Sequence, residues 1–181
     1  LKIITCEPEY RTRMMEILES HGISNSLLVE GGPSRQESVW HAVQAVKTAR
    51  VITHNAVLPF VTPRLVDRIA QGKYDCVTTV TPVHESICSG EDFAEEILDR
   101  SRLRYINSPQ CFDTRVLLAC HAKAQAEEYK AVSDCQLLMH YGHKIRFIQG
   151  PETNFKITTP KDLIVAEVIL RNPEITLEDG L

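Results

Sequence analysis

The sequence lacks an apolar stretch of the roughly 20 residues that a membrane-spanning helix needs, and no charged, apolar and small-residue signal peptide opens it. It also lacks an excess of positive charge. The formal net charge is -4 and the pI about 6.0, whereas a general nucleic-acid binder usually carries a basic face. We therefore expect a cytoplasmic protein whose partners include neither a membrane nor a nucleic acid.

Patterns typical of metal and disulfide frameworks are missing as well. The six cysteines form no C-x-x-C pair, and the seven histidines show no H-E-x-x-H spacing. The cysteines are scattered through apolar or helical stretches, so reduced thiols are favoured and no structural metal is predicted. The G-x-G-x-x-G fingerprint is also absent, which disfavours a nicotinamide-dependent enzyme.

Strand-like and helix-like patterns alternate through the 181 residues, which suffice for one domain with a core. The predicted strands are residues 1–6, 50–54, 76–81 and 144–148, and residues 23–30 are predicted to hold a short connection and a further strand. The predicted helices follow Pro8, Ser34, Thr62, Asp113 or Thr114, Ser133 and Thr159. This alternation predicts an α/β fold, Rossmann-like, with a mainly parallel sheet and helices on both faces. We assign residues 1–181 to a single domain.

Several local features refine this prediction. Residues 83–107 lack a helical stripe, and the turn signal Ser89-Gly90-Glu91-Asp92 within them predicts a protruding hairpin arm. Residues 108–112 are interpreted as a polar turn before a helix. The apolar faces of the first and last helices are predicted to comprise Tyr10, Met14, Ile17 and Leu18, and Leu163, Ala166, Ile169 and Leu170. The dipeptide Asn172-Pro173 is expected to end the last helix.

A double glycine, Gly31-Gly32, separates an apolar run from a predicted helix start. Ser34 opens an S-x-x-E capping box, so the helix should begin near Arg35. Glycines at such a turn let the backbone approach a ligand closely, and the helix start offers N–H groups to an anion. Arg35 and Ser38 add side-chain donors. A Gly-Gly turn before a helix is nevertheless more often only a turn.

Four further positions each allow a functional and a structural interpretation. Lys156 can present a charge to a phosphate or be a solvated edge lysine. His54, followed by Asn55, can bind a ligand or shape a turn through hydrogen bonds. Arg100 lies in a basic cluster that is usually a solvated face, and Asp134 is adequately explained as a helix cap.

Six segments in order resemble the polyol-phosphate cytidylyltransferases, the methylerythritol 4-phosphate and ribitol 5-phosphate enzymes. They are residues 31–39 (Gly-Gly-x-x-Arg-x-x-Ser-Val), 54–59, 85–87, 108–112, 132–135 and 154–163 (Asn-x-Lys-Ile-Thr-x-Pro-x-Asp-Leu). The resemblance covers nearly the whole chain, and six ordered segments are more specific than any one. Residues 157–160 and 133–135 resemble the ribitol branch slightly more.

The resemblance implies transfer of CMP from CTP to a polyol phosphate, with release of pyrophosphate and Mg²⁺ as the cation accompanying CTP. Lys156 would lie near the phosphates. Ser86 and Arg100 would lie on an arm that embraces a second subunit and would hold the acceptor phosphate in the partner's site, so a homodimer is expected. The implied nucleotide-binding residues are Gly31, Gly32, Arg35, Ser38, His54 and Asn55.

The chain departs from the family pattern at several positions. Asn55 and Leu58 stand where the family has aspartate and arginine, and Glu85-Ser86 replaces its Asp-Thr. The resemblance places the family's glycine-rich loop, with its phosphate-binding arginine and lysine, before the position of Leu1, so we do not find that loop in this sequence. These departures support an alternative, a catalytically inactive binding or dimerisation module that has kept the fold.

Overall fold

The computed structural model describes residues 1–172 and 174, and the chain divides into two units. The first comprises Leu1–Val51 and Phe112–Ile145, and the second Ile52–Cys111 and Arg146–Leu181. The single domain over residues 1–181 therefore stays a prediction. Pro173, expected to end the last helix, lies outside the described residues.

Strands and helices alternate along the chain, which confirms the α/β class. The strands are β1 (Lys2–Cys6), β2 (Ser26–Glu30), β3 (Arg50–Thr53), β4 (Cys76–Pro82), β5 (Ile87–Ser89), β6 (Glu96–Leu98), β7 (Arg104–Asp113) and β8 (Ile145–Gln149). The helices are α1 (Arg11–Ser20), α2 (Arg35–Val43), α3 (Pro63–Ala70), α4 (Thr114–Ala126), α5 (Asp134–His140) and α6 (Pro160–Arg171). Within the described part of the chain, none of these helices has the length and apolarity needed to cross a membrane.

The first unit is built on a parallel pair of strands. β1 and β2 run in register from Lys2 opposite Ser26 to Cys6 opposite Glu30. α2 contacts both strands, and α4 contacts α2 and α5. The buried apolar side chains of these helices include Val43, Leu117, Leu137 and Leu138. The strand pair thus ends where the predicted glycine turn begins, and α2 follows directly.

A four-stranded sheet has the strand order β3-β7-β4-β8. In the second unit, Ile69 of α3 packs with Val77 of β4 and Cys111 of β7, and the partly buried Ile148 lies against them. A second cluster joins Phe60 to two residues of α6 and to the segment after β8; its other members are Ala166, Ile169, Phe155 and Ile157. Apolar packing therefore anchors the segment that carries Lys156.

The predicted hairpin is confirmed. β5 and β6 pair antiparallel, with Ile87 opposite Leu98 and Ser89 opposite Glu96. Gly90, at the predicted turn, has a φ of 124°, a conformation that side-chain-bearing residues rarely adopt. The turn signal in the sequence therefore marks the position where the hairpin reverses.

The interpretation of residues 108–112 as a polar turn is wrong, because they lie within β7 and are buried. Several of their polar groups find hydrogen-bond partners inside the protein. The amide of Gln110 donates to the hydroxyl of Thr78 at 3.0 Å, and the hydroxyl of Thr79 donates to the carbonyl of Pro109 at 2.8 Å. The Ser108-Pro109 peptide bond is cis. Buried hydrogen bonds thus allow a polar segment to form an interior strand.

The buried stripes of the first and last helices are narrower than predicted. α1 buries Leu18, whereas Tyr10 and Ile17 are exposed. In α6 the buried residues are Ala166 and Ile169, one turn apart, while Leu163 and Leu170 are exposed. Both helices therefore bury fewer apolar side chains than the apolar pattern suggests.

Candidate functional site

The Gly31-Gly32 turn is held by hydrogen bonds to the elements on either side of it. The Gly31 N–H donates to the carbonyl of Cys6 at 2.9 Å and extends the pairing of β1 and β2. The Gly32 N–H donates to the hydroxyl oxygen of Ser38 at 3.0 Å. That hydroxyl in turn donates to the carbonyl of Ser34 at 2.9 Å. Ser38 thus fixes the turn against the first turn of α2.

α2 begins at Arg35, as the capping-box pattern predicts. The Ser34 hydroxyl oxygen accepts from the Glu37 N–H at 3.2 Å and donates to the Glu37 carboxylate at 2.7 Å. One N–H of the helix start is therefore used internally, and a carboxylate lies beside it. The helix start is thus a weaker anion site than the sequence suggests, which leaves Arg35 as the main cationic group of this turn.

We expect Gly32→Ala to destabilise the protein by about 1–3 kcal/mol, because the added Cβ would overlap the Cβ of Glu37 and force the turn away from α2. Gly31→Ala is the matched control. Its Cβ would meet the Ser38 hydroxyl at 3.3 Å, and that group can shift. Urea unfolding of the two variants measures the difference. Equal losses in both variants would contradict this assignment of the close approach to Gly32.

Arg35 is tied to a buried carboxylate. Its Nη2 donates to Oδ2 of Asp134 at 2.8 Å, and the Asp134 side chain is only 1% exposed. Burial alone would raise the pKa of this carboxyl, but hydrogen bonding and charge from His121 and Arg35 outweigh burial and hold the pKa below its usual value. The interpretation of Asp134 as a cap is wrong, because the Ser133 hydroxyl caps α5 by accepting from the Gln136 N–H.

His121 completes this cluster, and sequence reasoning missed it. Its Nε2 lies 3.4 Å from Oδ1 of Asp134, and its ring stacks on Trp40 with centroids 5.9 Å apart. His121 is buried on α4. The available signal was its spacing: it falls four residues after Leu117 and three before Ala124, both of which are buried on the same face of α4.

In the second unit, His54 closes a turn with both of its ring nitrogens. Nε2 lies 2.9 Å from the Leu58 carbonyl, which can only accept, so this nitrogen carries the proton. Nδ1 then accepts from the Ser108 hydroxyl at 3.0 Å. The Ser108 oxygen accepts from the Asn55 N–H at 3.0 Å. His54 thus holds this turn together, and its role in binding a ligand stays a prediction.

The segment that carries Lys156 is fastened beside this turn. The fully buried Asn154 donates its amide to the Ser108 carbonyl at 2.7 Å. The Ile157 N–H donates to the Val57 carbonyl at 2.9 Å. Lys156 lies between these two attachments and its side chain is exposed. The second unit therefore brings Lys156 close to the turn that contains His54 and Asn55.

Ser86 and Arg100 lie at the two ends of the hairpin. Ser86 is exposed and directly precedes β5, and Arg100 is exposed just after β6. The Arg100 guanidinium donates to the backbone carbonyl of His84. His84 in turn places its Nε2 2.8 Å from a carboxylate oxygen of Glu152. The base of the arm thus carries Arg100 close to the chain that leads into Ser86.

The predicted site residues fall into two groups, one in each unit. Gly31, Gly32, Arg35 and Ser38 belong to the first unit, and His54, Asn55, Ser86, Arg100 and Lys156 to the second. Across residues 1–172 and 174, no cluster of three or more His, Cys, Asp or Glu side chains could hold a metal ion. Mg²⁺ in proteins is commonly bound by one or two carboxylates together with substrate phosphates.

Comparison with known proteins identifies the family. The family model for IspD, 2-C-methyl-D-erythritol 4-phosphate cytidylyltransferase, matches residues 2–172. The enzyme of that name from Bacillus cytotoxicus is 30% identical over 175 residues, 93% of this chain and 76% of that protein. The one from Nostoc punctiforme is 32% identical over 169 residues, 90% of this chain and 73% of that protein.

Solved structures agree with these sequence matches. The 4-diphosphocytidyl-2C-methyl-D-erythritol synthase of Anaerococcus prevotii superposes with a TM-score of 0.84 at 27% identity, covering 94% of this chain and 78% of that one. The 2-C-methyl-D-erythritol 4-phosphate cytidylyltransferase of Thermus thermophilus has a TM-score of 0.75 at 33% identity, covering 81% and 73%. This chain belongs to the IspD family of cytidylyltransferases, which are nucleotidyltransferase enzymes.

Proposed function

We propose that this chain transfers CMP from CTP to 2-C-methyl-D-erythritol 4-phosphate. The observation that carries the proposal is the family match over residues 2–172. A phosphate oxygen of the acceptor attacks the α-phosphorus of CTP and forms a new P–O bond. The bond from the α-phosphorus to the oxygen that bridges to the β-phosphate breaks, and pyrophosphate leaves with its electrons. In such a transfer the protein mainly positions the reactants and neutralises charge.

The glycine turn of the first unit is proposed to bind the cytidine. Gly32 leaves the backbone without a side chain where it turns tightly against α2, and Gly31 continues the strand pairing up to that point. Arg35 is held by Asp134, yet 41% of its side chain is exposed, so its guanidinium can reach a ligand. Ser38 supports the Gly32 backbone through its hydroxyl rather than reaching outward.

Lys156 is proposed to neutralise the phosphates. It is an exposed cation on a segment fixed at Asn154 and Ile157, so its backbone position is defined while its ammonium group meets solvent. The turn that contains His54 and Asn55 supports this segment from the side. If Mg²⁺ accompanies CTP, it would supply positive charge that offsets part of the charge on the triphosphate. All other neutralisation would come from side chains of the protein.

The hairpin is proposed to reach a second copy of this chain. Two of its large apolar side chains, Phe93 and Ile97, are 86% and 70% exposed, and burying them against a partner would remove them from water. Ser86 and Arg100, at the base of the hairpin, would then bind the acceptor phosphate in the partner's site. A homodimer with shared sites follows from this arrangement.

The transferase proposal is tested by pyrophosphate release from CTP by the full-length protein. We expect release with 2-C-methyl-D-erythritol 4-phosphate as acceptor, and none without an acceptor. Release with ribitol 5-phosphate but not with 2-C-methyl-D-erythritol 4-phosphate would instead assign the chain to the ribitol branch, which the sequence of residues 157–160 slightly favours. CTP binding without release in the presence of either acceptor would support the inactive-module alternative, for which Asn55 and Leu58 are the motivation.

Shared sites are tested by mixing two inactive variants, Arg100→Ala and Lys156→Met. If each site takes Lys156 from one subunit and Arg100 from the other, half of the sites in every mixed dimer are intact. Random mixing of equal amounts should then restore about a quarter of the wild-type activity. Mixtures that remain inactive, although mass spectrometry shows mixed dimers, would contradict the exchange of arms between subunits.

A further inference from the structure

We infer that Asp134 and His121 are positioning residues that hold Arg35 ready for the nucleotide without touching the nucleotide themselves. The inference rests on the proposed function, because that is what places Arg35 beside the cytidine. It concerns a part of the first unit that the sequence motifs attribute to helix capping.

Asp134 is an ionised group with almost no access to water. Its Oδ2 accepts from Arg35 Nη2 at 2.8 Å, and its Oδ1 faces His121 Nε2 at 3.4 Å. Burying a carboxylate removes it from water, which is unfavourable unless hydrogen-bonded partners offset the lost hydration. Capping does not account for it, because Ser133 caps α5. Its two oxygens instead connect α5 to α2 and to α4, and the partner on α2 is the one that reaches solvent.

The neighbouring residue of α2 is fastened to the same stretch of chain. The Gln36 amide nitrogen donates to the Tyr129 carbonyl at 3.1 Å, and its amide oxygen accepts from the Ala131 N–H at 2.7 Å. Residues 129–134 therefore bind both side chains that open α2. Because this helix start follows the Gly31-Gly32 turn, the connection between α4 and α5 fixes the orientation of the proposed nucleotide-binding turn.

His121 supports Asp134 from the opposite side. It is buried on α4 and stacks on Trp40 of α2, so its ring is held between elements of the same cluster. From there it faces the carboxylate oxygen that Arg35 does not use. His121 thus keeps Asp134 directed at Arg35 through its packing on Trp40 and the 3.4 Å approach of its Nε2 to Oδ1 of Asp134.

A fixed arginine binds a ligand better than a free one, because less side-chain freedom is lost on binding. The guanidinium carries five N–H donors, and the bond to Asp134 uses Nη2. The exposed part of the side chain can therefore bind the nucleotide while the ion pair fixes its direction. Loss of Asp134 should weaken CTP binding only as long as Arg35 is present, since the effect acts through that side chain.

The test is a double-mutant cycle of CTP affinity, measured by calorimetry on the full-length protein. We expect Asp134→Asn to weaken CTP binding about tenfold. A loss of this size lies within the range of interaction energies found for two residues in contact, here Asp134 and Arg35. Arg35→Met should weaken it at least as much, and the double variant should be no weaker than Arg35→Met alone. Glu167→Gln, which removes the carboxylate of an exposed ion pair with Arg171, is the control and should leave the affinity unchanged.

His121→Asn provides a second route if Asp134→Asn does not fold. It should weaken CTP binding about threefold in the wild-type background and have no effect in the Arg35→Met background. Additive losses, equal with and without Arg35, would overturn the inference and leave the proposed function standing. Absence of CTP binding by the unmodified protein would instead overturn the proposed function and the inference with it.

Discussion

Replacing Leu58 by arginine is expected to lower the free energy of unfolding by about 3–5 kcal/mol and not to raise activity. The Leu58 side chain is 2% exposed, so a guanidinium in its place would lose its water without gaining an arranged partner. The backbone N–H and carbonyl of Leu58 are also hydrogen-bonded. Its N–H donates to the Asn55 carbonyl at 3.0 Å, and its carbonyl accepts from His54.

Leu58→Met is the matched control for this substitution. It keeps the volume and apolar character of the side chain, so the loss should stay below about 1.5 kcal/mol. Urea unfolding of both variants, followed by pyrophosphate release, separates a folding defect from a catalytic one. Unchanged stability with faster turnover of Leu58→Arg would contradict the prediction and would mean that the turn can open to present a side chain to a ligand.

The packing of Leu58 bears on how the site differs from the family pattern. The resemblance assigns an arginine to this position, but this chain uses the position to fill its interior. Restoring the family residues by Asn55→Asp with Leu58→Arg should therefore fail through instability rather than through lost chemistry. Positive charge for the phosphates must then come from elsewhere, and Lys156 and Arg100 are the proposed sources.

Features that depend on neighbouring residues could be predicted from the sequence. Helix starts are set by a capping side chain and the N–H groups two or three residues later, so short-range chemistry suffices. The structure confirms Ser34 and Thr62 as capping residues and the start of the last helix after Thr159, and it selects Asp113 over Thr114 as the cap of α4. The hairpin turn at Gly90 could be predicted for the same reason, because it depends on neighbouring residues.

Features that depend on distant residues could not be predicted. From the sequence alone Ser108 is predicted to lie in a turn, because its hydrogen-bond partner Asn154 is 46 positions away along the chain. Asp134 is predicted to cap a helix, because Arg35, which binds its carboxylate, is 99 positions away along the chain. Such pairings are set by the tertiary fold. Local patterns record only that a residue is polar, and a polar residue is assigned to the surface unless its partner is known.

The candidate site shows the same division. The family resemblance identified Gly32, Ser38 and His54, but it could not say what their polar atoms bind. In the structure the side chains of Ser38 and His54 hydrogen-bond to other groups of the protein and thereby stabilise the turns in which they lie. Arg35 and Lys156, whose side chains reach solvent, are consequently the better candidates for direct contact with a nucleotide.

Lys156→Met should lower kcat/KM for cytidylyl transfer by at least about a hundredfold, the scale of losing one charged contact to a transition state. The exposed side chain contributes little to folding, so the free energy of unfolding should change by less than about 0.5 kcal/mol. Lys161→Met, which removes another exposed lysine in the first turn of α6, is the control and should retain activity.

The kinetic parameters decide what Lys156 does. If it neutralises charge that develops on the phosphates during transfer, kcat falls and KM for CTP changes little. If it binds the triphosphate equally in the ground state and in the transition state, its loss raises KM while kcat is kept. Activity of Lys156→Met equal to that of Lys161→Met would restore the solvated edge-lysine interpretation. The attachment of residue 154 to β7 and of residue 157 to the turn would then serve the fold rather than the phosphates.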